Sequence, residues 1–453
     1  MKNHPLRGMI HKLSVKGLFR EAFWVGFGLL SSILALLVGT RFLTTLLSTT
    51  EYGKLSLAVS LATLAVHICG NPIGQTATRF YAHWRGAGKL TGLISDLKKS
   101  LAWAMGGIAF VSILVALVGN SFDRFPSSYF TITTGLFAIL LVANRIGFGL
   151  EDAARERRFR GVVQGFLELS RFSFAIGLVF LLEKANAQTV LSGFVGAALL
   201  TVALHGRFLK NLFKRSTENP VAGKKMATPM EAAELRRFQL PLIISNGCIW
   251  VVMMAERWTL THGGNLADVG GYTAVYQLAF VPMLFVSSFL VLLTEPVIYQ
   301  MVGSDTKKDT ASRALAVNRY IAITIFFMTL ICSLVLFFHH SLVGVFFLGP
   351  EFRSYSWIFP WLFLAGGCFA AAQQLLLKLS CEMRTGKLAG LWGTIALIAV
   401  VSYYIGANYW QLNGIITAVV IVNGLLLMFA IAQTHMGKED GECSRSDSST
   451  VVN

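Results

Sequence analysis

The sequence predicts an all-α polytopic membrane protein with about twelve transmembrane helices in two six-helix lobes. Three observations carry this. Of 453 residues, 54% are hydrophobic and only 14% charged, with a mean hydropathy of +0.61. Soluble domains are about a quarter charged, and at about 20 residues per span the chain has room for roughly a dozen spans. The basic residues alternate between connecting segments, and the two halves echo each other at one turn.

Apolar runs fall at 21–47, 54–78, 100–119, 128–150, 162–183 and 188–206, a first lobe of residues 1–206. A second set at 239–258, 271–300, 319–338, 355–378, 388–407 and 412–433 gives a second lobe of 238–435. Between them, 207–237 is polar, basic and broken by Pro220 and Pro229, and reads as a cytoplasmic linker. The tail 436–453 has the composition of a disordered segment. The stretch 342–349 is apolar but too short to span, and reads as a re-entrant or interfacial piece of an outer loop.

With both termini placed in the cytoplasm, the inner segments hold 31 of the 39 Lys and Arg and the outer loops 4. This split follows the positive-inside rule and would collapse if one span were miscounted. The remaining four, Arg41, Arg145, Arg171 and Arg257, lie within spans. The net charge of +16 is therefore topological, and no nucleic-acid partner is expected. Cys69, Cys248, Cys332 and Cys368 fall in apolar runs, no metal-ligand spacing occurs, and no cofactor is expected. The basic N-terminus reads as a retained tail, because the apolar run after it exceeds a signal-peptide core.

Arg41 near the end of the first span is followed by a turn holding Glu51 and Gly53. Arg257 near the end of the seventh is followed by Asp268 and Gly270-Gly271-Tyr272. Six spans per half is an even number, so this is a parallel repeat with the site between the halves.

Charges inside a bilayer face a partner, an interface or a wet cavity. Arg41 and Arg257 have two readings, snorkelling to the outer interface or lining a cavity. Arg171 is close to mid-membrane, with Glu168 three residues before it on one helical face, so a local pair and a ligand-facing arginine held by Glu168 both fit. Arg145, next to Asn144, lies near an inner end. The second span carries a polar stripe of Ser56, Ser60, Thr63, His67, Asn71, Gln75 and Arg79 at helical spacing. On the seventh, Asn246, Trp250, Met253 and Arg257 share a face and Glu256 adjoins the arginine. Lys378 and Glu295 read as interfacial. Fixed positive charge exceeds negative, and guanidinium groups suit a diphosphate.

The segments RFLTTLLSTTEYGKLSLAVSLATL, GNPIGQTATRFYAHWR, FQLPLIISNGCIWVVMMAERWTLTHGGNLADVGGYTAVYQLA and QLNGIITAVVIVNGLLL resemble those of Wzx-type polysaccharide repeat-unit flippases. These belong to the MOP exporter superfamily, which includes the MATE exporters. Glu256 stands where that family usually has aspartate. The resemblance implies two lobes working by alternating access. It implies translocation of an undecaprenyl-diphosphate-linked oligosaccharide, an O-antigen or exopolysaccharide repeat unit, across the inner membrane without enzymatic chemistry. It implies that Arg41, Arg145, Arg171 and Arg257 meet diphosphate or acidic sugar, while the stripe residues, Trp250, Tyr272 and Tyr276 meet sugar. Membrane lipids and the pathway's polymerase and chain-length proteins are the expected partners. The alternative is a cation-coupled multidrug exporter of the MATE type, which would favour acidic residues in the cavity. A membrane enzyme using the same lipid carrier would need a larger outer loop than 339–354. The lipid II flippases usually have two further spans.

Overall fold

The computed structural model describes residues 15–86, 90–119, 127–217, 229–263, 266–303, 308–381 and 385–446. These are helical almost throughout. The helices are α1 (Val15–Leu46), α2 (Thr49–Ala65), a π-helical turn (Val66–Gly70), α3 (Asn71–Gly86), α4 (Leu90–Gly119), α5 (Ser128–Ala153), α6 (Arg157–Leu182) and α7 (Ala187–Thr217). There follow α8 (Pro229–Gly263), α9 (Leu266–Gly303), α10 (Lys308–Phe347), a 3-10 stretch (Pro350–Ile358), α11 (Phe359–Cys381) and α12 (Thr385–Ser446).

Eleven of these runs are long and apolar enough to cross a membrane. The last, Gly386–Gln433, has 48 residues, about twice one span. It breaks at Gln411 (φ 49°, ψ −128°). A Cβ on Gly406 would lie 2.6 Å from the Gly414 carbonyl oxygen, so the two arms fold back as a close-packed hairpin. Twelve spans result, as the composition predicts.

Three segments differ from the sequence reading. Residues 342–347 are the last turns of α10, not a separate re-entrant piece. Continuing the helix satisfies backbone groups that an irregular segment would leave open. α7 runs on to Thr217 and α8 begins at Pro229, so helix occupies most of the expected linker, and 218–228 lie outside the described residues. α12 extends to Ser446, into the tail whose composition suggested disorder, since a nucleated helix propagates at low cost.

The chain forms two compact units. One comprises residues 1–39, 69–184 and 188–239, the other 40–68, 185–187 and 240–453. The chain passes between them at five points, among them the π turn and the residue before Pro241 in α8.

In the first unit small residues set the helix crossings, as is usual in membranes. Gly28 of α1 meets the Gly161 backbone of α6, and Gly149 of α5 meets the Gly74 backbone of α3. Asn144 Nδ2 of α5 donates to the Ala198 carbonyl of α7 at 3.1 Å. The outward side of α4 is apolar, with Trp103 and Phe110 exposed, as suits lipid.

In the second unit α2 crosses α9 at two glycines. A Cβ on Gly53 would collide with the Leu266 carbonyl, and one on Gly270 with the Thr49 carbonyl. These are the two glycines of the sequence echo, so the repeated turns pack on one another. Ser56 Oγ lies 2.7 Å from Thr273 Oγ1 beside this crossing. Tyr355 Oη donates to Asp268 Oδ1 at 3.0 Å, and Ser333 Oγ to the Pro360 carbonyl at 2.7 Å.

Candidate functional site

The residues singled out in the sequence divide between the two units. In the first, Asn71, Gln75, Arg145, Glu168 and Arg171 are placed by α3, α5 and α6. Arg145 is half-buried and its Nε donates to Asn71 Oδ1 at 2.5 Å. Its stem lies on Gly70, where a Cβ would sit 3.2 Å away. Among the described residues no carboxylate lies within ion-pair distance of its guanidinium. Gln75 is exposed, one helical turn beyond Asn71.

Glu168 and Arg171 form the local pair that their spacing permits, at 2.8 Å. The guanidinium also packs over Phe172 at 4.9 Å and Phe194 at 5.2 Å. Both side chains keep about a fifth of their surface exposed, 21% and 20%. Arg171 is thus held in a fixed pose and stays partly exposed.

In the second unit the arginines are used differently. Arg41 donates from Nη1 to the Leu348 carbonyl, and Thr44 Oγ1 accepts from the Gly349 amide at 2.9 Å, so the last turns of α1 cap the turn after α10. Arg257 is not a snorkelling side chain, with only 1% of its surface exposed. Its guanidinium lies 4.7 Å above the Tyr276 ring, and Nη1 reaches Met254 Sδ at 2.9 Å. Its Nε is 3.6 Å from Glu256 Oε1, a contact too long for a hydrogen bond. Tyr272 Oη donates to the same carboxylate at 3.5 Å. Tyr276 and Tyr272 are therefore buried beneath the charge pair. Among the described residues, Arg257 Nε and Nη2, Glu256 Oε2 and Tyr276 Oη have no hydrogen-bond partner.

The polar stripe is divided by the π turn, which no sequence pattern signalled. Above it, Ser56 and Ser60 are buried. Trp250 Nε1 donates to the Ser60 carbonyl at 2.9 Å and Trp258 Nε1 to Ser60 Oγ at 3.0 Å. Trp250 is thus fixed by its indole nitrogen, with the rest of the ring half-buried. Asn246, also buried, donates to the Leu242 carbonyl of its own helix at 2.8 Å. His67 lies in the π turn and is half-buried. Such turns recur at functional sites because the extra residue breaks the regular ladder. The side chains of Lys378 and Glu295 lie outside those described.

Sequence reasoning missed one polar cluster in the first unit, Glu151, Asp152, Arg157, Arg160 and His205. Arg157 Nη1 pairs with Asp152 Oδ1 at 2.8 Å and Arg160 Nε with Oδ2 at 3.4 Å. Glu151 faces His205 of α7. These two are 54 residues apart, and each sits at the end of an apolar run where a polar residue is unremarkable. Only the packing of α5 on α7 joins them. No group of acidic, His or Cys residues suited to a metal occurs among the described residues.

No family model matches the sequence, and no curated protein sequence is significantly similar to it. Solved structures do match over nearly the whole chain. A mutant of the Vibrio cholerae MATE transporter VcmN superposes with a TM-score of 0.64 at 14% identity, covering 94% of this chain and 97% of that one. An outward-facing multidrug resistance MATE transporter of the MOP superfamily gives 0.63 at 15%, covering 93% and 95%. A Pyrococcus furiosus MOP-superfamily transporter, described as having a binding pocket of reverse polarity that suggests a different function, gives 0.60 at 13%, covering 93% and 95%. At these identities the likeness is one of fold: the chain has the helical fold of the MATE and MOP-superfamily transporters.

Proposed function

We propose that this protein is a flippase. It carries an undecaprenyl-diphosphate-linked oligosaccharide across the bacterial inner membrane by alternating access of two six-helix lobes. The observation that carries this is the charge inventory of the spans. Glu168 and Glu256 each face an arginine, and Glu151 faces a histidine. Arg41 and Arg145 face only carbonyl or amide oxygens, with no carboxylate in range among the described residues. Unneutralised guanidinium groups within spans favour an anionic cargo.

In this reading Arg145, set by Asn71, and Arg171, set by Glu168, meet the diphosphate. Asn71 and Gln75 in the first unit meet sugar, as do His67, Asn246 and Trp250 in the second, while the polyprenyl tail stays in lipid. Polymerase and chain-length proteins of the same pathway receive the product.

Complementation tests it. In a strain lacking its own repeat-unit flippase, wild-type protein restores surface polysaccharide and Arg145→Ala does not, at equal protein level. Full activity of Arg145→Ala and Arg171→Ala together would contradict the site.

A second reading, a multidrug exporter, is favoured by the descriptions of the similar structures as multidrug resistance transporters. It needs a carboxylate open to a cationic drug. It predicts drug hypersensitivity on deletion, where the flippase reading predicts none.

A further inference from the structure

We propose that Glu151 and His205 form a proton-binding site that couples proton uptake to the Arg145 anion site on the same helix. The coupling rests on the transport reading above; the proton site does not.

The geometry is that of a sealed pair. Glu151 has none of its side chain exposed and His205 4%. His205 Nδ1 meets Glu151 Oε1. The remaining polar atoms of both groups, Glu151 Oε2 and His205 Nε2, are buried and without a hydrogen-bond partner among the described residues. The surroundings are apolar. Phe148 meets the imidazole edge-on at 4.6 Å, Phe159 lies beyond it, and Val163 and Leu167 close the cluster. The charged groups acting on the pair are Asp152 of α5 and Arg160 of α6. Both are already engaged, Asp152 with Arg157 and Arg160, and Arg160 also with Gln164 and over the Phe148 ring at 4.3 Å. Glu151 therefore has His205 as its own direct partner.

With a neutral imidazole the pair carries a net negative charge in an apolar cage. A buried charge without full pairing is costly. A proton from water adds to the bare imidazole nitrogen and leaves an imidazolium facing a carboxylate, which is neutral overall. One proton is bound, and no bond between heavy atoms forms or breaks.

The link to Arg145 is α5 itself. One face, with Asn144, Gly147 and Glu151, packs on α7. A Cβ on Gly147 would lie 2.8 Å from the His205 ring. Another face, with Arg145 and Gly149, packs on α3. A Cβ on Gly149 would lie 2.7 Å from the Gly74 Cα. α5 fits without slack on both sides, so a shift that hydrates the deprotonated pair also moves Arg145 relative to Asn71. By the Lys/Arg distribution this end of α5 is the cytoplasmic one, so protons enter from that side.

The test uses the full chain in phosphatidylethanolamine/phosphatidylglycerol vesicles. Nitrogen-labelled histidine is followed by NMR from about pH 5 to pH 8, with deuterium exchange of α3 and α5 measured in parallel. One ring signal, identified by its absence in H205Q, should titrate in step with a several-fold rise in exchange at the paired ends of α3 and α5. E151Q keeps an acceptor for the imidazole and should remove the exchange response. A His205 signal that does not titrate, or an exchange response unchanged in E151Q, would overturn the site. If neither variant folds, the wild-type exchange profile decides: no rise with pH at the paired ends of α3 and α5 would overturn the site. With lipid-linked oligosaccharide added, an imposed pH gradient should speed translocation about tenfold in wild type and not in E151Q. Titration with no translocation of that lipid would keep the proton site and sink the flippase reading. Translocation indifferent to the gradient would sink the coupling.

Discussion

The two units each hold a glutamate beside an arginine within a span, and the pairs are built in opposite ways. Glu168 and Arg171 are three residues apart, so they lie on one face of α6 and close at 2.8 Å with both side chains about a fifth exposed. Glu256 and Arg257 are neighbours in sequence, so their side chains leave α8 in directions about 100° apart and cannot close well. They stay 3.6 Å apart and almost fully buried. A partly exposed pair with good geometry can adjust. A buried, incompletely bonded pair is held by its cage, and removing one member leaves the other charge stranded. The first suits a cargo that comes and goes, and the second suits a fixed strut of the α8–α9 packing.

Substitutions sharpen this contrast. Arg257→Ala should cost about 3–5 kcal/mol of stability, because Glu256 then lies buried without its counter-charge; unfolding in detergent would show it. Wild-type stability in that variant would mean the pair is not buried in the membrane. Next, Tyr276→Ala removes the ring beneath the guanidinium and should cost about 3 kcal/mol, in the range of buried aromatic truncations. Tyr276→Phe keeps the ring and loses a hydroxyl that has no partner among the described residues, so it should change stability by less than about 1 kcal/mol. The smallest effect on stability is expected for Glu168→Gln, under about 1 kcal/mol, with the same small value for coupling to Arg171 in a double-mutant cycle. That variant should nonetheless reduce surface polysaccharide, since Arg171 loses the contact that fixes its pose. A strong destabilisation with normal transport would reverse the roles assigned to the two pairs.

The sequence carried the architecture and the location of the charges, but not their surroundings. Span number and helical class follow from hydropathy and from the Lys/Arg alternation, which depend on local composition. The Glu168–Arg171 contact was legible because helical spacing alone makes it. The depth of Arg257 was not, because its burial comes from Tyr276 and Tyr272 of the next helix and from Met254. Arg41 looked like a cavity or interface residue, yet its partner, the Leu348 carbonyl, lies 307 residues away and has no sequence signature. The polar stripe was legible as a pattern. Its division at the π turn was not, since one extra residue in a turn leaves the spacing of polar side chains unchanged to the eye. Ser60 owes its burial to two indoles from α8. Glu151 and His205 were invisible for the same reason: only α5–α7 packing makes them a pair.

The most direct test of the central claim is reconstitution of the purified protein in vesicles bearing a labelled undecaprenyl-diphosphate oligosaccharide in one leaflet. Appearance of the sugar in the other leaflet is read by a membrane-impermeant lectin. The account predicts translocation by the wild-type protein and its loss in Arg145→Ala, with both proteins folded. A wild-type protein that leaves the lipid-linked sugar in place while moving a cationic dye would contradict it.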